Sequence, residues 1–354
     1  MVIISLRKAF SAESKIARID GEFAVKLYGS RKTVLLLVFS LIVILLSFLA
    51  IFMLIDSDIV PDIDSDIVRV HVKDEFDLRN AIDNASFFTS TTIVLDNDVT
   101  LERSIRISED KNITLTSNGN ADFFKLTCIS TIPYGVCPLY VDDGGVLILD
   151  GIIVTHENVY GGGVGVASGG SLILVDGGII GNVIRGGGCG VGNRGTFVMY
   201  GGTISGNTAA CLINSGGSSG STGGGVLNWG TFVMYGGTIS GNKVNRAPFL
   251  MLDGPGDWGG DGGGVYNYGT FIMYAGEIFN NTAGTNGGGV YNKGNFTMHG
   301  GVISGNTAEV NGGGGVYDEG RFKINAGVIS GNTASCGNDV YTYDGKSRSY
   351  PSND

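Results

Sequence analysis

From residue 140 to 342, short runs of four or five residues alternate apolar and polar positions with period two, and the runs return at fixed places. In Gly-Thr-Phe-Val-Met-Tyr-Gly-Gly-Thr-Ile-Ser-Gly-Asn, at 230–242, Phe232 and Met234 fall on one side of an extended chain. Thr231, Val233 and Tyr235 fall on the other, so the pattern predicts a strand and not a helix. Three columns run in register: Val166, Val191, Val226, Val265, Val290, Val316; Leu172, Phe197, Phe232, Phe271, Phe296, Phe322; and Asn182, Asn207, Asn242, Asn281, Asn306, Asn332. Every column gives the same successive spacings of 25, 35, 39, 25 and 26. The unit is therefore about 25 residues long, enough for three short strands at about 3.3 Å per residue with glycine corners between them. The longer intervals carry insertions near 208–222 and 243–261. No single unit can bury its own apolar face, so successive units must stack. The expectation is an all-β parallel β-helix of about nine turns over 140–342, with the Asn column hydrogen-bonding at a corner to backbone in the next turn.

Ahead of the repeat, Phe76, Leu78, Ala81 and Ile82 in the segment 74–85 suggest one face of a short amphipathic helix. Three strand-like stretches follow it, separated by Asn, Asp and Gly turns. Residues 74–139 are read as an N-terminal cap with the first irregular turns, since a solenoid end needs covering. Residues 34–55 are uncharged and apolar. Their 22 residues at 1.5 Å each span about 33 Å, enough to cross a bilayer. This predicts a transmembrane signal anchor over 33–55. The preceding 32 residues carry seven basic and three acidic side chains, which places them as a cytoplasmic tail and the repeat outside a cell membrane crossed once. Residues 56–73 form an acidic linker. The Asp62, Asp64, Asp66 spacing within it fails as an EF-hand, because Ile67 and Lys73 stand where glycine and glutamate are required. Residues 343–354 are a C-terminal tail.

Composition sharpens this picture. Of 61 glycines, 57 lie after residue 140, without a Gly-X-Y period and with 6 prolines in all, which excludes collagen. Setting the N-terminal tail aside leaves 16 basic and 30 acidic residues, a surface that repels nucleic acid. Five cysteines without a C-x-x-C pair exclude a disulfide scaffold and give no metal or redox motif. Cys128 and Cys137 bracket a short loop compatible with a local disulfide, while Cys189, Cys211 and Cys336 read as small apolar residues. Four N-x-S/T acceptors, Asn84, Asn112, Asn280 and Asn295, lie in the exported part.

Gly-Gly-Gly-Val-Tyr-Asn at 262–267 and 287–292, with Ile-Ser-Gly-Asn-Thr-Ala at 204–209, 303–308 and 329–334, resembles the repeats of right-handed β-helix adhesin-like surface proteins. The units are also similar to those of polymorphic outer membrane proteins. The resemblance implies the pectin-lyase-like fold, which carries lyases, hydrolases, adhesins and structural proteins alike. It departs from the outer-membrane family in lacking a β-barrel translocator.

Lyases of that fold are expected to stack aspartates for calcium, and hydrolases to pair carboxylates. Here Asp150 and Asp176 come closest to stacking, one register step apart, and His156 with Glu157 is the other candidate. Neither makes a cluster, so no catalytic, cofactor or metal residue is assigned. Binding has better candidates. The outward positions Thr196, Val198, Tyr200; Thr231, Val233, Tyr235; and Thr270, Ile272, Tyr274 form an apolar and aromatic strip over three turns. The same turns carry the insertions, which contain Leu212, Ile213, Phe249 and Trp258. Either these loops bury the strip, or Tyr200, Tyr235, Tyr274 and Trp258 line a groove for a sugar chain or a protein partner. Tyr266, Tyr291 and Tyr317 are expected to form a second outward row. The sequence thus predicts a membrane-anchored surface protein that binds a cell-surface glycan or an envelope protein without catalysis. The competing reading is a membrane-tethered polysaccharide lyase or glycoside hydrolase.

Overall fold

The computed structural model describes residues 15–19, 22–26, 68–86, 89–118, 123–129, 137–156, 160–185, 187–210, 212–214, 217–219, 221–246 and 259–343. The chain divides into two compact units, Met1–Asp66 and Ile67–Asp354. In the first, Lys15–Ile19 pairs antiparallel with Glu22–Lys26. The proposed anchor at 33–55 lies outside the described residues. Among the described residues, no helix is long and apolar enough to cross a membrane.

The second unit is a solenoid of parallel strands. Each turn of the regular part begins with a Val strand, turns a corner into the Phe strand, bends into an Ile strand and ends in a short Thr-Ala strand. The Phe strands Thr196–Met199, Thr231–Met234, Thr270–Met273, Asn295–Met298 and Arg321–Ile324 pair one to the next with identical positions opposed. Thr203–Ser205, Thr238–Ser240, Glu277–Phe279, Val302–Ser304 and Val328–Ser330 repeat this for the Ile row. The Val row is a nine-stranded sheet running from Ile105–Ile107 to Val340–Thr342. In two earlier turns a single long strand, Val146–His156 or Ser171–Ile180, serves both the Phe and the Ile rows.

Parallel pairing reaches further back than the glycine-rich repeat. Val68–Val72 pairs with Thr91–Leu95, which pairs with Asn112–Ser117, which pairs with Val146–His156. In these early turns Thr91 and Ile113 are buried where later turns bury Phe, and Ile93 and Leu115 where later turns bury Met. The last residues of the segment read as linker, 68–72, are thus a strand of the solenoid. The helix Glu75–Asp83 comes after that strand and buries Leu78, Ala81 and Ile82. Phe76, assigned to the same face, is 72% exposed. It lies two residues before Leu78, off the stripe set by steps of three and four. Asp74 caps the helix, accepting from the Asp77 backbone N–H. Lys111 Nζ closes the other end by donating to the carbonyls of Ile82, Asp83 and Ala85.

The core is a set of like-on-like stacks. Phe197, Phe232, Phe271 and Phe296 are fully buried, with ring centroids 4.7, 4.7 and 4.5 Å apart from turn to turn. The centroid spacing is that of neighbouring strands, so each ring covers the face of the next. At one corner the Asn column forms a continuous buried amide chain. The side-chain amide and backbone N–H of Asn182 both donate to Asn207 Oδ1, at 2.9 and 3.0 Å. Asn207 does the same to Asn242, Asn242 to Asn281, Asn281 to Asn306, and Asn306 to Asn332. Every link points the same way. The last amide, Asn332, donates to the carboxylate of Asp339. A second chain runs from Asn193 through Asn228, Asn267 and Asn292 to Asp318. A carboxylate accepts without needing to donate, so it ends a one-way chain with no amide proton left over.

Candidate binding face

The outer side of the Phe strands is a regular surface of the repeat. Thr231, Val233 and Tyr235 point outward while Phe232 and Met234 are buried, and the neighbouring turns keep the same pattern. The predicted tyrosine column stands at the end of these strands. Tyr200, Tyr235 and Tyr274 are 56, 45 and 42% exposed. The described residues that lead into the insertions, Thr208–Ala210 and Lys243–Val244, form the row of short strands that follows the Ile strands. The described part of the first insertion is a small hairpin, Leu212–Asn214 against Gly217–Ser219. Trp258 and Phe249 lie outside the described residues.

The column is a stack, and this changes what it presents. Tyr200 and Tyr235 have centroids 5.1 Å apart at 8°, Tyr235 and Tyr274 4.9 Å at 5°, and Tyr274 and His299 4.9 Å at 13°. Ring faces are therefore spent on one another. What faces outward is a row of ring edges and phenol hydroxyls, which meets a partner by hydrogen bonding and edge contact rather than by ring stacking. Asn325 continues the row, its amide 3.1 Å from His299 Nδ1.

A second column borders the other end of the same strands, and the sequence reading missed it. Arg194, Trp229, Tyr268 and Lys293 each follow a Val-x-Asn and Glu319 follows Val-Tyr-Asp, with the spacings 35, 39, 25 and 26. That register was the available signal. Trp229 stacks on Tyr268 at 6.1 Å and 2°, and the Arg194 guanidinium sits 5.0 Å from the Trp229 ring. Lys293 Nζ lies 3.4 Å from the Glu319 carboxylate.

The expected second outward row is inward. Tyr266, Tyr291 and Tyr317 are 2, 3 and 7% exposed and form a small core of their own with Leu227. The glycine run before each Val strand folds over the tyrosine. Gly262, at φ +70°, would place a Cβ 2.8 Å from that of Tyr266, so only glycine fits there. Tyr291 donates to a Glu319 carboxylate oxygen at 2.7 Å. Burial pushes the Tyr266 and Tyr291 phenols well above their ordinary range.

The candidates for chemistry form one carboxylate pair and no larger cluster among the described residues. A bulge at Val175 brings Asp176 opposite Asp150, closer than the sequence offset suggests, and both are exposed. Among the described residues, no three His, Cys, Asp or Glu side chains could hold a metal ion. His156 is buried, with Nδ1 3.4 Å from Asn182 Oδ1, at the head of the amide chain. Burial lowers its pKa. Glu157 lies outside the described residues. Cys128 and Cys137 are thiols, not a disulfide. Burial pushes the thiols of Cys137 and Cys189 up to about 12. Comparison with protein families, curated proteins and solved structures finds no match to this chain.

Proposed function

We propose that this chain is a membrane-anchored cell-surface protein, a right-handed parallel β-helix of the adhesin-like kind, whose flat Phe-strand face binds a partner without chemical turnover. The anchor is the apolar segment 33–55, with the N-terminal tail cytoplasmic and the solenoid outside. The observation that supports the reading is the exposed column Tyr200, Tyr235, Tyr274, held in register over three turns and bordered by β-branched side chains. A surface protein built to cleave a polymer would set an acid and a base within one cleft. Asp150 and Asp176 instead lie side by side on the exposed face. The partner is a cell-surface glycan or an envelope protein, not nucleic acid, because the exported part is acidic.

The test is to incubate the full chain with neutral and acidic polysaccharides, with and without calcium, and to measure both bound polymer and polymer length. Binding that is lost on replacing Tyr200, Tyr235 and Tyr274 by alanine, with length unchanged, is the expected result. Shortened chains would replace the reading with a tethered lyase or hydrolase acting through Asp150 and Asp176.

A further inference from the structure

The charges on the Phe-strand face are not scattered. Taking the turn of Thr231–Met234 as centre, the turns two and three before it carry the exposed carboxylates Asp176 and Asp150 at the tyrosine end of the strand. The turns two and three after it carry His299 and, with Asn325, Lys323 and Arg321, all exposed. The three turns between are apolar, with Val198, Val233 and Ile272 bordered by Tyr200, Tyr235 and Tyr274. The face is thus acidic at one end, basic at the other and aromatic in the middle, with the central turn equidistant from both.

Such a face is complementary to itself. We propose that a second copy of this chain docks on it face to face, solenoid axes antiparallel, about a two-fold axis running along the strand Thr231–Met234. That operation sets Asp176 beside His299 of the second copy and Asp150 opposite its Asn325, two residues along the strand from its Lys323, whose long side chain reaches toward the carboxylate. It also sets Tyr200 opposite Tyr274, Val198 opposite Ile272, and Tyr235 and Val233 each opposite themselves. On the other border, Arg194 meets Tyr268. Each pair of unlike residues occurs twice and each self-pair once, as an isologous interface demands. The unfavourable approach is Glu319 near Asp143, and Glu319 is already held by Lys293.

The dimensions suit the purpose. Seven residues along the strand and six inter-turn steps give a patch of roughly 20 by 29 Å. That is about 580 Å², at the low end of what a specific interface buries, about 600 Å² per partner. The near-zero angles between stacked rings show that successive turns superimpose with little rotation, so two such faces can meet along their length. This step rests on the surface-anchored reading above only for its setting.

The experiment is cysteine cross-linking of the full chain in detergent, in a background with Cys336→Ser and Cys211→Ser. Val233→Cys lies on the axis and is expected to form a disulfide-linked dimer under mild oxidation. Tyr200→Cys and Tyr274→Cys are each expected to stay monomeric alone and to cross-link when mixed. Asp150→Lys is expected to raise the dimer dissociation constant roughly tenfold, as is Lys323→Asp, and the double variant is expected to restore it, with added salt weakening the native dimer. Two results overturn the proposal: Tyr274→Cys linking to itself, or a monomer by sedimentation at high concentration with Val233→Cys unlinked. A monomer that still binds a glycan through the tyrosines overturns this docking alone and leaves the binding function intact. A dimer that binds no glycan does the reverse.

Discussion

Replacing Asn242 by alanine probes the amide chain at its middle. Asn242 Oδ1 accepts from the backbone and side-chain amides of Asn207 at 3.1 and 2.8 Å. Its own amide donates to Ile204 O and Asn281 Oδ1, both at 2.9 Å. Alanine removes all four bonds and leaves at least three buried groups short of a partner: the Asn207 N–H, one Asn207 amide proton and the Ile204 carbonyl. At about 1–3 kcal/mol for each orphaned group, the cost is at least about 3 kcal/mol. Asn242→Asp should be worse than alanine, because it keeps the acceptor but sets a carboxylate against two oxygens that expect a donor. At the end of the chain the rule relaxes. Asp339→Asn keeps the acceptor for Asn332 and should cost less than about 1 kcal/mol, since position 339 is only half-buried and its new amide can reach water. The assay is urea unfolding followed by circular dichroism, comparing midpoints at constant slope. An Asn242→Asp variant as stable as the native chain would refute the one-way polarity, and a loss under about 1 kcal/mol for Asn242→Ala would refute the energetic role of the chain.

Three further outcomes are expected. Lys111→Ala removes the donor shared by three carbonyls at the helix end, so amide exchange across Glu75–Asp83 should accelerate at least tenfold while the exchange of the Phe strands from Thr196 onward stays unchanged. Gly237→Ala should destabilise by about 1–3 kcal/mol, because φ is +82° and the new methyl would lie 2.6 Å from Met199 Cε and 2.7 Å from two carbonyl oxygens; thermal melting checks it. Cys336 should react with a thiol reagent at pH 8 in the folded chain, and Cys137 and Cys189 only after denaturation. Because folding raises the pKa of these two thiols, stability should hold below about pH 9 and fall as pH rises from there toward 12, where the unfolded chain loses protons that the folded chain keeps.

The repeated half of the fold was legible because each turn reuses the same residues, so alternation within a strand and spacing between strands gave the stacking directly. The turns between 68 and 139 were legible as strands but not as full turns. They build the same core from Ile, Leu and Val and lack the Gly and Asn corners that mark the later ones. Tyr266, Tyr291 and Tyr317 misled because alternation assigns a side of the strand, and being outside the main core does not mean being exposed when a side-chain-free glycine run can lie on top. The tyrosine column was found from its register, whereas its stacking, which hides the ring faces, belongs to three dimensions. The column from Arg194 to Glu319 shares that register but mixes residue types, so identity gave no cue. Asp150 against Asp176 depended on a bulge that no spacing rule anticipates.

The one-way amide chain has a consequence for how a protein like this can change length. Copying a 25-residue unit between Asn207 and Asn306 adds one donor and one acceptor together, so the insertion closes on itself. Appending a unit after the last strand does not, because the Asp339 carboxylate, seven residues beyond Asn332 at the place of Gly315, already accepts from Asn332 where the next asparagine would have to. Growth by duplication is therefore confined to the interior, and the final turn must be inherited as a fixed terminus. Lineages that lengthened or shortened the solenoid should differ in the number of asparagines while retaining a single carboxylate at the last position.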